Sequence, residues 1–315
     1  MKSNFENSVD VRGWVFNHTL AKKVSKKGVE YIGGSINVAT DKDAVNVVPV
    51  NFMYVTPIFS KSGKPNTTYS FLEQIINENN TYEMKGTEAT KIRITGDVEC
   101  NDFVTREGEM ASPKRIRGGF AHSETGDIAT VGCAKFKTDM LIEGYQEVEV
   151  ENGDNYGRIR GYVFNFKNDF LPVEYTIRTT GGMNYFEKAD ISVSEPMLTK
   201  VWGNIVCTTI ENRTETENAF GAPTVNITTR TLRAWDIEGA SVDPMEFGDE
   251  STMTAADVTK GKADREQHLA EVRANHDEYQ NQKANANNAF NNNPPFDGST
   301  VVKSASPTAA KNYKF

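Results

Sequence analysis

Two short stretches of this chain set charged and aromatic side chains where they could act together. In "VRGWVFN", Val11–Asn17, the two-residue period of a strand puts Arg12, Trp14 and Phe16 on one face. In "IRGYVFN", Ile159–Asn165, the same rule aligns Arg160, Tyr162 and Phe164. A guanidinium beside flat rings suits a ligand built of phosphates and bases, since the cation meets phosphate and the rings stack on bases. The competing reading is structural: Trp14 and Phe16 fill a barrel and Arg12 marks its rim. Phe52 and Tyr54 share a strand face too, and core packing competes there as well. Phe103 stands among Asn101, Asp102, Thr105 and Arg106, polar neighbours that make a core role less natural. Trp202, in "TKVWGN", is a further candidate of that kind.

Cations come in two clusters. "AKKVSKK" supplies Lys22, Lys23, Lys26 and Lys27, and "SPKRIRGGF" supplies Lys114, Arg115 and Arg117 beside Phe120. A charge run is usually a solvated surface. Two such runs placed on loops beside one groove would instead track a phosphate backbone.

Catalytic patterns are missing. "SKSGKPN" has a Gly-Lys pair without the spacing or the Ser/Thr of a phosphate loop. His18, His122, His268 and His276 show no metal-ligand spacing, and His268 and His276 read as plain surface residues. No nucleophile elbow occurs. The expectation is a binding protein rather than an enzyme, with no cofactor and no metal.

The elements that would carry these residues read as a repeat. "VVPVNF" at Val47 pairs with "FLPVEY" at Phe170, and "FLE" at Phe71 with "YFE" at Tyr185. "GDVEC" at Gly96 pairs with "GNIVC" at Gly203, and "IEG" at Ile142 with "IEG" at Ile237. With the opening pair, the separations are 148, 123, 114, 107 and 95 residues, falling steadily, as in a tandem repeat whose second copy is shorter. The first copy predicts strands at Val11–Asn17, Tyr31–Thr40 and Val45–Val55, a helix over "TTYSFLEQIINE", then strands at Lys91–Phe103 and Cys133–Val150. Pro49 requires a bulge or an edge, because proline donates nothing to a ladder. Three strands, a helix and two strands is the order of an OB-fold, a small Greek-key barrel. The fold expected is mainly β: two tandem OB-fold-like Greek-key barrels, a C-terminal polar helix and a disordered tail.

On these residues the chain resembles the bacterial-type single-stranded DNA-binding proteins. "GGSINVATDKD" is similar to that family's second-strand region. "TGDVECNDFVTREGE" is similar to its fourth strand and hairpin, with Gly96, Phe103 and Gly108 at the glycine, aromatic and turn-glycine places. The resemblance covers Val11 to about Glu149 and extends more weakly to the second copy. It implies stacking at Phe103 and binding without catalysis. The family usually has one barrel per chain; two unequal ones put family-type tetramers in doubt. Paired barrels with such a tail are similar to a phage or mobile-element product.

Composition bounds the rest. The chain has 315 residues, 37% of them hydrophobic, and a formal charge of −8. Cys100, Cys133 and Cys207 are odd in number and far apart, which favours reduced thiols. "MKSNFENSVD" lacks an apolar signal core, so a cytoplasmic protein is expected, in a host cytoplasm if phage-encoded. The expected units are 1–150, a first barrel; 151–243, a second, shorter one; 244–284, a linker and charged helix starting at Thr254 and Asp257; and 285–315, a low-complexity tail. That tail ends in "KNYKF", basic where the resembled family is acidic, and is a candidate contact for replication or recombination proteins. The expected function is single-stranded DNA binding in replication or recombination, with RNA as an open alternative and no membrane partner. The alternative is a phage structural or assembly protein, toward which the acidic total leans.

Overall fold

A computed structural model describes residues 5–59, 62–151, 153–216, 218, 220, 224–246, 248 and 252–291. Strands β1 (Asn7–His18), β2 (Ala21–Val24), β3 (Glu30–Ala39) and β4 (Val47–Val55) lead to helices α1 (Thr67–Glu78) and α2 (Tyr82–Lys85). Strand β5 (Lys91–Cys100), the small hairpin β6 (Phe103–Val104) and β7 (Met110–Ala111), strand β8 (Lys114–Ser123) and the turn of helix α3 (Ile128–Val131) follow. Then come β9 (Cys133–Val148), β10 (Tyr156–Phe164), β11 (Phe170–Ile177), α4 (Thr180–Lys188), β12 (Met197–Thr216), β13 (Thr224–Ala240) and α5 (Ala255–Asn291).

Eleven of the strands form one continuous sheet that closes on itself twice. The first circuit is β1–β3–β4–β8–β5 and back to β1, with β4 and β8 parallel. The second is β9–β10–β11–β13–β12 and back to β9, with β11 and β13 parallel. Each places its strands in the order first, second, third, fifth, fourth, with α1 or α4 between the third and fourth. That is the OB-fold circuit. Full closure leaves few unpaired edges for aggregation. The circuits join where Asn7–Arg12 of β1 pairs with Cys133–Thr138 of β9.

Alternation builds both interiors. Val9, Val11, Ile36, Val50, Ile92 and Ile116 point into the first, and Met140, Ile159, Val173, Ile205 and Ile237 into the second, all at or below 6% exposure. Each such side chain contributes roughly 1.5–3 kcal/mol relative to exposure. Helix α1 has the residues expected for it. Asn66 caps it by accepting from Thr68 N at 3.1 Å, and its face of Thr68, Tyr69, Leu72 and Ile75 is buried.

The circuit corrects two expectations. The segment 114–123, expected as a loop, is β8, the fifth strand of the first barrel, with Ile116 buried and Arg115 and Arg117 turned outward. Cys133–Val148, expected to close the first barrel, is instead the first strand of the second, so the boundary lies in the Glu124–Gly132 connection rather than after Val150. Three of the five repeated pairs do lie on equivalent elements: β4 with β11, α1 with α4, β5 with β12. The two "IEG" copies do not, and neither do "VRGWVFN" and "IRGYVFN", which are a first and a second strand. These last two share a steric job. A Cβ on Gly13 would lie 2.0 Å from Ala39 O across the first–second strand seam, and one on Gly161 would lie 1.9 Å from Leu141 O across the same seam of the other barrel.

The chain then enters α5 through the expected signal. Thr254 Oγ1 accepts from Asp257 N at 3.2 Å while Asp257 Oδ2 accepts from Thr254 N at 3.0 Å, a reciprocal capping box. The expected tail 285–315 begins inside this helix, which runs to Asn291; residues 292–315, with the "KNYKF" end, lie outside the described residues. Among the described residues, no helix is long and apolar enough to cross a membrane.

Candidate nucleic-acid interface

The outer face of β3 and β4 in the first barrel is open. Tyr31 and Tyr54 lie there with ring centres 4.4 Å apart, and Tyr54 is 52% exposed. Lys23 of β2 stands directly across from Tyr31 in the hairpin register. A bulge sets this arrangement. Between Ile32↔Val55 and Gly34↔Phe52 the β4 strand advances one residue more than β3. Phe52 therefore turns into the core at 2% exposure while Met53 and Tyr54 both turn outward. The expected shared face of Phe52 and Tyr54 is thus split: Phe52 packs on Gly118 inside the barrel, and Tyr54 faces solvent.

The face continues toward the small hairpin. Arg115 Nη2 lies 3.0 Å from Met53 Sδ, and its Nη1 donates to Asn101 Oδ1 at 2.8 Å. Asn101 leads into Phe103, whose ring is 40% exposed on β6. Lys23, Tyr31, Tyr54, Met53, Arg115 and Phe103 therefore make one run of rings and cations from β2 across β3, β4 and β8 to the β6–β7 hairpin. Tyr31 and Met53 were not among the sequence candidates. The signal that reveals Tyr31 is the short β2–β3 hairpin in "AKKVSKKGVEYIGG", which aligns it with Lys23.

The cations differ in what else they touch. Lys23, Lys26 and Lys27 are exposed, with no ion-pair partner among the described residues. Lys22 is paired with Glu73 of α1. Arg115 is held by Glu99 at 2.9 Å and Arg117 by Asp97 at 2.5 Å, and the Asp97 hydrogen bond raises the Arg117 pKa. Lys114 leaves the surface: it donates to the Glu174 carbonyl and lies 5.5 Å from the Tyr175 ring centre and 5.9 Å from that of Trp235. Burial pushes its pKa down to about 8. The second expected basic cluster is therefore an ion-paired strand plus a lysine packed between the barrels. Each outward arginine of β8 finds a carboxylate directly opposite on β5.

Trp14 belongs to the core. It is 3% exposed, its Nε1 donates to Thr87 O at 3.0 Å, and it packs with Ala89 and Ile128. Arg12 pairs with Asp10 at 2.7 Å on the outer face of β1, and Phe16 is half-buried against Tyr82. Burial raises the Asp10 pKa, and the hydrogen bonds from Arg12 and Arg93 outweigh it and hold the carboxyl low.

A groove runs from this face between the barrels. Pro49, Asn51 and Arg115 line one bank, and Cys207, Arg233 and Trp235 the other, enclosing about 330 Å³. It continues past Asn37 and Val47, facing Thr209 and Thr231 of the long β12–β13 ribbon. Asn46 ties the ribbon to the first barrel: its Nδ2 donates to Ile205 O at 3.1 Å and its Oδ1 accepts from Cys207 N at 2.6 Å. Arg233 is exposed and has no ion-pair partner among the described residues. It was another residue missing from the sequence candidates.

On the second barrel's equivalent face, α5 covers the end at Phe170 and Tyr162. Gly261 of α5 rests on Phe170, where a Cβ would lie 2.1 Å from the ring, and Lys262 Nζ lies 5.7 Å from the Tyr162 ring centre. Tyr162 is half-buried and Phe164 fully so. Arg160 is paired with Glu174 at 3.0 Å. Trp202 is 39% exposed but lies flat on Gly239, filling the space a side chain would take there.

The model of one family, YorF, matches residues 6–275. The chain belongs to the YorF family. No curated protein matches it. Among solved structures it is similar to the wild-type single-stranded DNA binding protein from Thermus aquaticus, at 12% identity and a TM-score of 0.44, over 77% of this chain and 95% of that one. A deletion mutant of the same Thermus aquaticus protein is similar at 12% identity and a TM-score of 0.46, over 78% of this chain and 98% of that one. In this YorF-family chain the Tyr31–Tyr54 face of the first barrel carries no such helix, while α5 lies over part of the second barrel's face.

Proposed function

We propose that this protein binds single-stranded DNA without catalysis, in replication or recombination. The strand lies across β3 and β4 of the first barrel and enters the groove beside the β12–β13 ribbon. Tyr31, Tyr54 and Phe103 stack on bases. Lys23, Lys26, Lys27 and Arg233 meet phosphates. Arg115, already held by Glu99 and Asn101, offers a fixed guanidinium edge beside Met53.

The observation that carries the reading is the Tyr31–Tyr54 pair, half-buried Tyr31 against exposed Tyr54, joined through Met53, Arg115 and Asn101 to an exposed Phe103. Exposed rings beside cations are what sequence-tolerant strand binding requires. Titration of labelled oligo-dT at two salt concentrations tests it, with an oligo-U arm and a duplex arm of equal length. Tight oligo-dT binding that weakens steeply with salt, with weak duplex binding, is the expected result. Equal duplex binding, or none at low salt, sinks the proposal, and preference for oligo-U reassigns the ligand to RNA.

A further inference from the structure

The helix α5 makes a contact that the binding face does not itself require. Arg265 reaches the base of the β6–β7 hairpin, donating from Nη1 to Asp102 Oδ2 at 2.8 Å and from Nη2 to Asp102 Oδ1 at 2.5 Å. Nη2 also donates to Ser112 Oγ at 3.1 Å, across the base on the other strand of the hairpin. One guanidinium therefore clamps both strands at their base. The pair is enclosed, at 9% and 8% side-chain exposure. His268 Nε2, one helical turn on, lies 3.2 Å from Asp102 Oδ2. His268 is a surface residue, as its sequence context implied, with its side chain 54% exposed beside Asp102.

The root of α5 is fixed on the second barrel. Gly261 sits on Phe170, and Lys262 pairs with Glu143 at 2.5 Å. These residues and Arg265 are three or four apart, so they share one helix face. The helix thus spans from the second barrel to the first barrel's hairpin. Along that hairpin, successive side chains alternate. With Asp102 turned to α5, Phe103 turns to the other side, where the ring is exposed.

We infer that α5 is a strut whose Arg265 is a positioning residue for Phe103, holding the β6–β7 hairpin so that its ring is presented to a single strand. The inference rests on the proposed binding face. A hairpin of two-residue strands is marginal by itself. Clamped through a bidentate pair, it meets its ligand already ordered, which lowers the entropy cost of binding.

The test uses the full chain and the variants Arg265→Met and Arg265→Lys. Lysine keeps a charge beside buried Asp102 and lacks the planar fork that spans Asp102 and Ser112. If Arg265→Met does not fold, Arg265→Lys decides. Hydrogen exchange over 102–112 reads the strut without any DNA. The expected result is exchange roughly tenfold faster in that segment and unchanged in β4 and β5. Oligo-dT affinity is expected to fall roughly tenfold, but to change by less than about twofold in a Phe103→Ala background, as two groups acting through one contact require. Unchanged exchange over 102–112 overturns the strut, and so does an equal affinity loss in both backgrounds. Failure of the wild-type chain to bind oligo-dT instead overturns the proposed function, while the exchange result still stands for or against the strut.

Discussion

The ammonium of Lys114 lies 5.5 Å from the centre of the Tyr175 ring, so a cation from one barrel is packed against the core aromatic of the other. Tyr175 is fully buried and stacks against Trp235 at 5.8 Å. Lys114 also donates to the Glu174 carbonyl, which fixes where β8 meets β11.

This lysine makes a pH prediction. Burial lowers its folded pKa to about 8 from an ordinary 10.5. Between these values the unfolded chain holds a proton that the folded chain releases, so Lys114 contributes stability that grows as pH rises from 8 toward 10.5. Below that window both states are protonated and the contribution is flat. Urea unfolding of wild type and Lys114→Met at about pH 7.5, 9 and 10 measures it, the difference isolating this group from the tyrosines. A wild-type minus variant difference that does not move across that range refutes the assignment.

Stacking and packing separate at four rings. Tyr54→Ala and Phe103→Ala are each expected to cost roughly 1–3 kcal/mol of oligo-dT binding with little change in melting temperature. Phe52→Ala and Trp14→Ala are expected to cost roughly 3–5 kcal/mol of folding stability instead. Calorimetry and fluorescence titration on the same four variants read both quantities.

The salt dependence should follow the cations without internal partners. Replacing Lys23, Lys26 and Lys27 with alanine is expected to flatten the log–log salt slope by roughly 0.7 for each phosphate no longer neutralised. Replacing Arg117, which Asp97 already neutralises, should leave that slope nearly unchanged. Affinities at four salt concentrations distinguish the two; the reverse order would place the phosphates along β8.

Seam glycines give a steric prediction. Gly13→Ala and Gly161→Ala each drive a Cβ into a backbone carbonyl about 2 Å away. Each is expected to cost roughly 1–3 kcal/mol, as overpacking does. Gly144 on β9 is the control: a Cβ there would meet nothing within 4 Å, so its alanine variant should keep its melting temperature. Thermal unfolding of the three variants is sufficient.

Much of the fold was legible because its signals are local. Helix α1 spans "TTYSFLEQIINE", the Thr254–Asp257 pair caps α5, and the matched Pro49 and Pro172 lie on third strands whose far edge pairs with the fifth strand at only two residues and one. Glycines at tight seams left their mark as well: Gly96 and Gly203 each abut a fifth-strand carbonyl at about 2 Å, and both opened a repeated pair.

By itself, then, the sequence determined most of the elements, β8 excepted, the strand–helix order of a Greek-key barrel and the residue types of the proposed binding face. Only the tertiary structure decided that Cys133–Val148 begins the second barrel, that Lys114 goes between the barrels, and that α5 lies over part of one barrel's outer face and not over the Tyr31–Tyr54 face of the other. The physical reason is range. Propensity, capping and alternation act over a few neighbours, whereas closure and exposure follow from pairings between residues far apart in the chain. A single extra residue in β4 was enough to send Phe52 inward and Tyr54 outward, since a one-residue change of register reverses every face beyond it.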